Sequence, residues 1–364
     1  MPDTTTTFAP GRVEILGNHT DYNLGFVLSA AIHLGVTIEA SRLSENILEI
    51  NSETNQRSIS ISIELSNLRP LTEDAWANYP IGVIKVLLAA GFRLGGMRLN
   101  VSSDLPLGAG LSSSAALEVA TVMAAKALFD LEIEKMRLAQ LCQKAENEFV
   151  GVQSGLLDQA SSVFGKYHQL ILLDFLNVTV ETVSLPANAS LLLLNSGVPH
   201  ELTGGEYNER RKQCMLAAKS MGVASLRDAT LAQLESAHLD ETTRRRALHV
   251  IGESDRVLQG VRALRSSQLQ AFGELMFASH VSSKVNFENS TSNLDVLVEL
   301  ARKTPGVFGS RLTGGGFGGS TVSLIESGYA GEIVRNISRD YRRMTGANCS
   351  PILTEPSEGA RILA

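Results

Sequence analysis

Leu105-Pro-Leu-Gly-Ala-Gly-Leu-Ser-Ser-Ser-Ala-Ala116 is the stretch on which the reading of this chain turns. Residues 97–102 before it have the pattern of a strand, and the alanine-rich run 115–129 after it favours a helix. A strand, a loop of small residues and a helix N-terminus therefore meet at one place. Small residues let backbone amides close around an anion, and the first helical turn adds unpaired N–H groups and the positive end of the helix dipole. Gly108, Ala109, Gly110, Leu111, Ser112, Ser113 and Ser114 thus read as a phosphate cradle. This is not a Walker A loop, because no Gly-Lys-Ser/Thr follows at the required spacing, and the third glycine of a dinucleotide fingerprint is missing. The structural alternative is a serine N-cap on a packed helix.

Three further segments carry chemistry-bearing residues. In Gly11-Arg-Val-Glu-Ile-Leu-Gly-Asn-His-Thr-Asp-Tyr-Asn23, Arg12 lies near a turn rich in hydrogen-bonding side chains, and Asn18, His19 and Asp21 can converge on hydroxyl groups. The alternative there is a loop held by Asx-type hydrogen bonds. In Leu312-Thr-Gly-Gly-Gly-Phe-Gly-Gly-Ser-Thr321, five glycines join two apparent strands, which suits close backbone approach to a ligand or a flexible hairpin. Between these segments, Glu146 sits in a helical pattern and can hold a metal, while Asp158 follows a glycine-containing loop and can face substrate. Taken alone, each has a plain reading as a solvated charge or an N-cap.

Working outward, 364 residues exceed the size at which one hydrophobic core stops growing, so two domains with a cleft between them are expected, divided near Leu185-Pro186 into 1–185 and 186–364. Short alternating runs at 36–40, 47–50 and 58–65 suggest strands before a helix at 76–90; further helices are expected at 135–150, 206–221, 242–264, 269–279, 294–302 and 330–344, and strands at 169–175, 190–196, near Arg311 and at 320–325. The simplest architecture is two α+β domains, each with a mainly antiparallel or mixed sheet covered by helices. The apolar fraction of 44% and charged fraction of 19% are ordinary for a globular chain, and a net charge of −6 argues against a nucleic-acid partner. Cys142, Cys214 and Cys349 are widely spaced and odd in number, which fits neither a disulfide framework nor a zinc site. The N-terminus lacks the charge and apolar core of a signal peptide, and no run reaches the ~18 apolar residues of a membrane span, so a cytoplasmic location and no membrane partner are expected.

Together, the order and spacing of these segments resemble the galactokinase branch of the GHMP small-molecule kinases over nearly the whole chain. Residues 11–23 are similar to the sugar signature, 105–116 to the ATP loop, and 312–320 to the third glycine motif; 206–214 and 272–280 are similar too. The resemblance implies an N-terminal α/β domain with a left-handed β-α-β unit, a ferredoxin-like C-terminal domain and an active site between them. It implies a magnesium-dependent kinase that phosphorylates the anomeric hydroxyl of a galactose-like sugar with ATP. Residues 108–114 would wrap the ATP phosphates, and Ser114 and Glu146 would hold Mg²⁺. Asp158 would be the catalytic base and Arg12 would stabilise the transition state. Asn18, His19, Asp21, Gly155 and Tyr207 would line the sugar. Partners would be sugar and ATP alone, with oligomeric state open and a monomer compatible.

Two residues depart from the family pattern. Asn18 stands where galactokinases usually carry Glu, at a position that in the family contacts the sugar, and Ser154 stands where Cys is frequent. Exchanging a charged for a neutral acceptor is expected to weaken sugar binding by about 1 kcal/mol, so that Asn18→Glu would lower the sugar KM. The rival readings are a sibling kinase for N-acetylgalactosamine, L-arabinose or a uronic acid, and a non-catalytic sugar sensor. The uninterrupted Ser112-Ser-Ser-Ala-Ala116 and the presence of Arg12, Glu146 and Asp158 count against the sensor.

Overall fold

The computed structural model describes residues 2–53, 56–64, 67–106, 108–197 and 205–364. Its first strand, β1 (Thr4–Leu16), is absent from the sequence reading, which placed Arg12 near a turn and assigned no strand before residue 36. Glycine and proline count against a strand there, yet Val13, Ile15 and Leu16 are fully buried, and the long β2 (Phe26–Arg42) supplies an antiparallel partner. Tertiary pairing thus outweighs local propensity. The register slips between Pro10 and Arg12 and again between Glu14 and Leu16, so β1 bends where its two charged residues lie.

β3 (Ile47–Ser52) and β4 (Arg57–Ser62) form a hairpin; the expected strand 58–65 ends at Ser62, and Leu65 lies outside the described residues. α1 (Asn78–Ala89) leads to β5 (Met97–Ser103), which pairs parallel with β3 and antiparallel with β2. This β3-α1-β5 crossover supplies the parallel contact of an otherwise antiparallel sheet. α2 (Ser113–Phe129), α3 (Lys135–Ala145) and α4 (Leu157–Phe164) then cover one face, with α2 packed on β1 and β2. β6 (Gln169–Asp174) joins β2, and β7 (Thr179–Ser184) joins β6.

β8 (Ala189–Asn195) carries the buried run Leu191–Leu194 and begins a second sheet. The helices α5 (Glu206–Ser220), α6 (Leu231–Ser236), α7 (Glu241–Arg265), α8 (Leu269–Ser282) and α9 (Ser292–Lys303) precede β9 (Val307–Leu312) and β10 (Ser320–Glu326); α10 (Ala330–Thr345) and β11 (Ser350–Thr354) follow. The strand order β11-β8-β10-β9, antiparallel throughout, is that of a ferredoxin-like β-α-β-β-α-β unit with an enlarged first crossover. The chain then returns, and β12 (Arg361–Ile362) pairs with β1.

Val257, Val261, Phe272 and Met276 from α7 and α8 belong to the same apolar cluster as Val13 and Leu28, so the two halves are packed together rather than merely tethered. Among the described residues no helix is long and apolar enough to cross a membrane, and all three cysteines are buried and free.

Candidate active site

Where the two sheets meet, a cavity of about 460 Å³ opens. Val36, Val101, Leu105, Trp76 and Tyr79 give it an apolar wall; the loop before α2, Arg12, Glu146 and Asp158 line its middle; Asn18, His19, Asp21, Gly155 and Tyr207 line it as well. Segments as distant in sequence as residues 12 and 315 therefore share one chamber.

The phosphate-like loop is held open. Gly108 and Gly110 have φ of +67° and +73°, which side chains rarely adopt, and a Cβ on Gly108 would meet nothing within 4 Å. Ser112 is the N-cap of α2 in left-handed geometry (φ 57°), yet its hydroxyl does not cap the helix. It donates to Asp158 Oδ2 instead. The leading amides of α2 thus keep their capacity for an anion. Leu107, within the quoted stretch, lies outside the described residues.

Asp158, in the first turn of α4, is clamped on its other oxygen by Arg12, whose Nε and Nη2 stand 2.8 and 2.7 Å from Oδ1. Arg12 Nη1 donates to the Gly110 carbonyl at 2.7 Å, and the Arg12 backbone N–H donates to Leu111 O at 3.1 Å. One guanidinium therefore ties carboxylate and loop together. These contacts fix the Asp158 carboxylate plane and leave one lone pair, on Oδ2, for a ligand hydroxyl.

α3 ends one residue before Glu146, and residues Glu146–Val150 form a π-helical turn rather than the continuous helix expected for 135–150. Glu146 is buried and accepts from Gln159 Nε2 at 2.9 Å and from Ser154 Oγ, while Ser114 Oγ lies 3.5 Å from its other oxygen. Ser154, the small-for-small departure, thus has a definite partner. Burial raises the Glu146 carboxyl, and the charge of Asp158 adds to the rise. Behind it, the fully buried Glu118 shares Gln159 Nε2 at 2.9 Å and is raised well above the ordinary carboxyl range by burial and by Glu146. Among the described residues no cluster of three or more His, Cys, Asp or Glu gathers to hold a metal.

His19 adopts φ 59°, and its Nε2 contacts the Gly315 carbonyl at 3.0 Å while Nδ1 contacts Tyr22 Oη at 2.9 Å. A carbonyl only accepts, so Nε2 carries the proton and Nδ1 accepts from the tyrosine. Burial lowers the ring to about 3, which keeps it neutral. The Tyr207 ring, in the first turn of α5, lies 5.1 Å from it. Burial, reinforced by Glu14 and Asp158, pushes Asp21 up to about 7. A Cβ on Gly155 would come within 1.9 Å of Asp21 Oδ2, so the absence of a side chain there makes room for this carboxylate. Asn18 is buried too: Nδ2 donates to Glu14 Oε1 at 3.0 Å and Gly314 O at 2.8 Å, and Oδ1 accepts from Asn289 Nδ2 at 2.8 Å.

The chain that builds this cavity, with a glycine-containing loop beside an acid–arginine pair, is similar to known proteins over nearly its whole length. The family model described as GHMP kinases N terminal domain covers residues 78–166, GHMP kinases C terminal covers 261–343, and the galactokinase galactose-binding signature covers 2–42. A galactokinase of Haemophilus influenzae is 38% identical over 98% of this chain and 94% of its own length, and one of Thermotoga petrophila is 38% identical over 97% and 98%. The chain belongs to the galactokinase family. Lactococcus lactis galactokinase complexed with galactose superposes with a TM-score of 0.94 at 32% identity, covering 99% of this chain and 95% of that one. A mevalonate kinase, at 20% identity and TM-score 0.70, shares the GHMP kinase fold.

For a galactokinase-family kinase, the residues singled out from sequence converge: Arg12, Asn18, His19, Asp21, Gly108–Gly110, Ser112–Ser114, Glu146, Gly155, Asp158 and Tyr207 all line the cavity. Sequence reasoning missed Trp76 and Tyr79 on its wall, Glu118 and Gln159 behind Glu146, and the buried groups Glu14, Glu253, Asn289 and Arg311 around the sugar loop. None of these lies in a short motif of its own except Glu14, which stands inside residues 11–23 as an apparent strand or turn charge.

Proposed function

We propose that this enzyme transfers the γ-phosphoryl group of ATP to the anomeric hydroxyl of galactose, giving galactose 1-phosphate and ADP. The observation that carries the reading is the Asp158 carboxylate, held between Arg12 and Ser112 where the anion loop and the sugar loop share one cavity. Residues 108–114 bind the phosphates mainly through backbone amides, because Ser112 spends its hydroxyl on Asp158. The apolar wall with Trp76 and Tyr79 accepts the base. Asp21, His19, Tyr207 and the space at Gly155 receive the sugar, with Asn18 beneath them.

In the reaction the anomeric oxygen forms a bond to γ-phosphorus as the bond from γ-phosphorus to the β,γ-bridging oxygen breaks, and the hydroxyl proton passes to Asp158. Arg12 lies beside both Asp158 and the loop, so it can screen charge on the transferring group while holding the carboxylate in line. The donors near the phosphates also fit Mg²⁺: Ser114 and Glu146 offer oxygen only, and Glu146 is buried in need of a counter-charge. Ser114 and Glu146 would hold Mg²⁺, which when bound neutralises phosphate charge. We assign residues 1–185 and 186–364 to the two domains, with β12 as a strap returning to the first.

ADP release with ATP and Mg²⁺ over a panel of galactose, N-acetylgalactosamine, L-arabinose, glucose and galacturonate tests the reading. Turnover on galactose well above the others is expected. Preference for another sugar would move the assignment to a sibling kinase, and silence on every sugar would leave a binding protein.

A further inference from the structure

Beneath the sugar loop lies a buried polar cluster that joins the two halves of the molecule. Glu14 leaves β1 into it, and its Oε1 accepts from Arg311 Nη1 at 2.8 Å and from Asn18 Nδ2 at 3.0 Å. The second N–H of Asn18 goes to the Gly314 carbonyl, and its Oδ1 accepts from Asn289 and, at 3.4 Å, from Ser283. Every hydrogen-bonding position of this amide is therefore used within the protein. Its backbone is held as well: the N–H groups of Gly17 and Asn18 donate to Glu253 Oε1 at 3.0 and 3.3 Å, and the Asn18 carbonyl meets His249 Nε2 at 3.1 Å.

We infer that Glu14 and Asn18 are the two halves of an acid–amide exchange that positions the sugar loop on the glycine hairpin, so that a carboxylate at position 18 functions only with an amide at position 14. The inference rests on the kinase reading of the site for its catalytic arm and on the hydrogen bonds alone for its structural arm. An ionised Glu at 18 has no N–H to give. It would face Glu14 and the Gly314 carbonyl, both acceptors, in a place where Glu14 is 3% and Asn18 1% exposed. With Asn at 14 the polarity reverses: the amide at 14 donates to the carboxylate at 18, the combined side-chain length is unchanged, and one carboxylate still faces one guanidinium. Arg311 can serve that second arrangement. It is fully buried, and its Nε and Nη2 have no partner among the described residues, leaving donors for a carboxylate displaced toward the loop. Asn18 thus stands in place of the family's Glu with its side-chain amide engaged by the scaffold. This reverses the expectation that Asn18→Glu by itself improves sugar binding.

The test is a double-mutant cycle on the full chain, with Asn18→Glu, Glu14→Asn and Glu14→Asn/Asn18→Glu read by thermal melting and by KM and kcat. Each single change is expected to lower the melting temperature and raise the galactose KM about tenfold or more, with the ATP KM moved far less; the double change should return the galactose KM to within about threefold of the parent. Additive losses in the double variant, or an Asn18→Glu enzyme as good as the parent, would overturn the pairing. If Asn18→Glu does not accumulate, recovery of folded protein in the double variant supports the pairing and its failure to recover counts against it. The gentler Asn18→Asp, with and without Glu14→Gln, repeats the comparison under less crowding. Melting decides the pairing even if the parent proves inactive on every sugar, which would sink only the kinase reading.

Discussion

The two ends of the cavity are built in opposite ways. At the phosphate end, one contiguous stretch supplies glycines with positive φ, open space and the leading amides of α2. At the end assigned to the sugar, His19, Asp21, Gly155, Tyr207 and Gly315 come from four separate segments, with His19 joined to the Gly315 carbonyl and Asp21 seated against Gly155. Backbone amides recognise an anion by geometry alone, so a short loop suffices. Discrimination among sugar hydroxyls needs fixed side-chain acceptors and donors, and fixing them requires buried polar partners that only a folded interior can supply. Asp158 and Arg12 stand at the junction of the two modes.

The largest effect should appear at that junction. Asp158→Ala is expected to lower kcat by about 10²–10⁴ while ATP binding, measured by calorimetry, stays within a few-fold, because the carboxylate contributes proton acceptance and alignment rather than nucleotide affinity. A near-normal kcat would remove Asp158 from the reaction and dissolve the junction between the two ends.

A smaller and one-sided effect is expected from Gly155→Ala. The added Cβ must displace the Asp21 carboxylate, which lies 1.9 Å from where it would stand. Loss of one hydrogen bond to a charged acceptor corresponds to about 10–100-fold in the galactose KM, with the ATP KM unchanged. Equal movement of both constants would mean that the two ends are not separable.

The smallest effect concerns pH. Asp21 lies near 7 in the folded chain against an ordinary value of 3.8. The folded state therefore holds this proton more tightly, and the group lowers stability progressively as pH rises from about 4 to about 7, with no further change above. Asp21→Asn should gain melting temperature relative to the parent across that interval, while its galactose KM at pH 8 rises about tenfold for want of the charged acceptor. Parallel melting profiles for the two proteins would show that Asp21 is not the group held neutral by burial.

The fold was legible in part. The alanine-rich run at 115–129 and the helical patterns at 242–264 and 330–344 correspond to α2, α7 and α10, and the leucine run at 190–196 to β8. β1 was hidden because its glycine and proline look like a turn unless β2 is already beside it. Glu146 looked like one residue of a long helix, and only the π-turn, with Gln159 and Ser154 arriving from α4 and the loop before it, aims its carboxylate.

The amino-acid sequence by itself determined the anion loop, the residue types able to act on a hydroxyl, and, through its likeness to GHMP kinases, the kind of chemistry. These follow from local backbone freedom and from side-chain inventory, which neighbouring residues decide. The tertiary structure alone decided which acceptor meets which donor: that Asn18 answers Glu14, that Arg311 backs Glu14, and that Ser112 serves Asp158 instead of capping its helix. The Glu14–Arg311 pairing joins residues nearly 300 positions apart in sequence, and its strength comes from exclusion of water, which exists only once the two halves have packed.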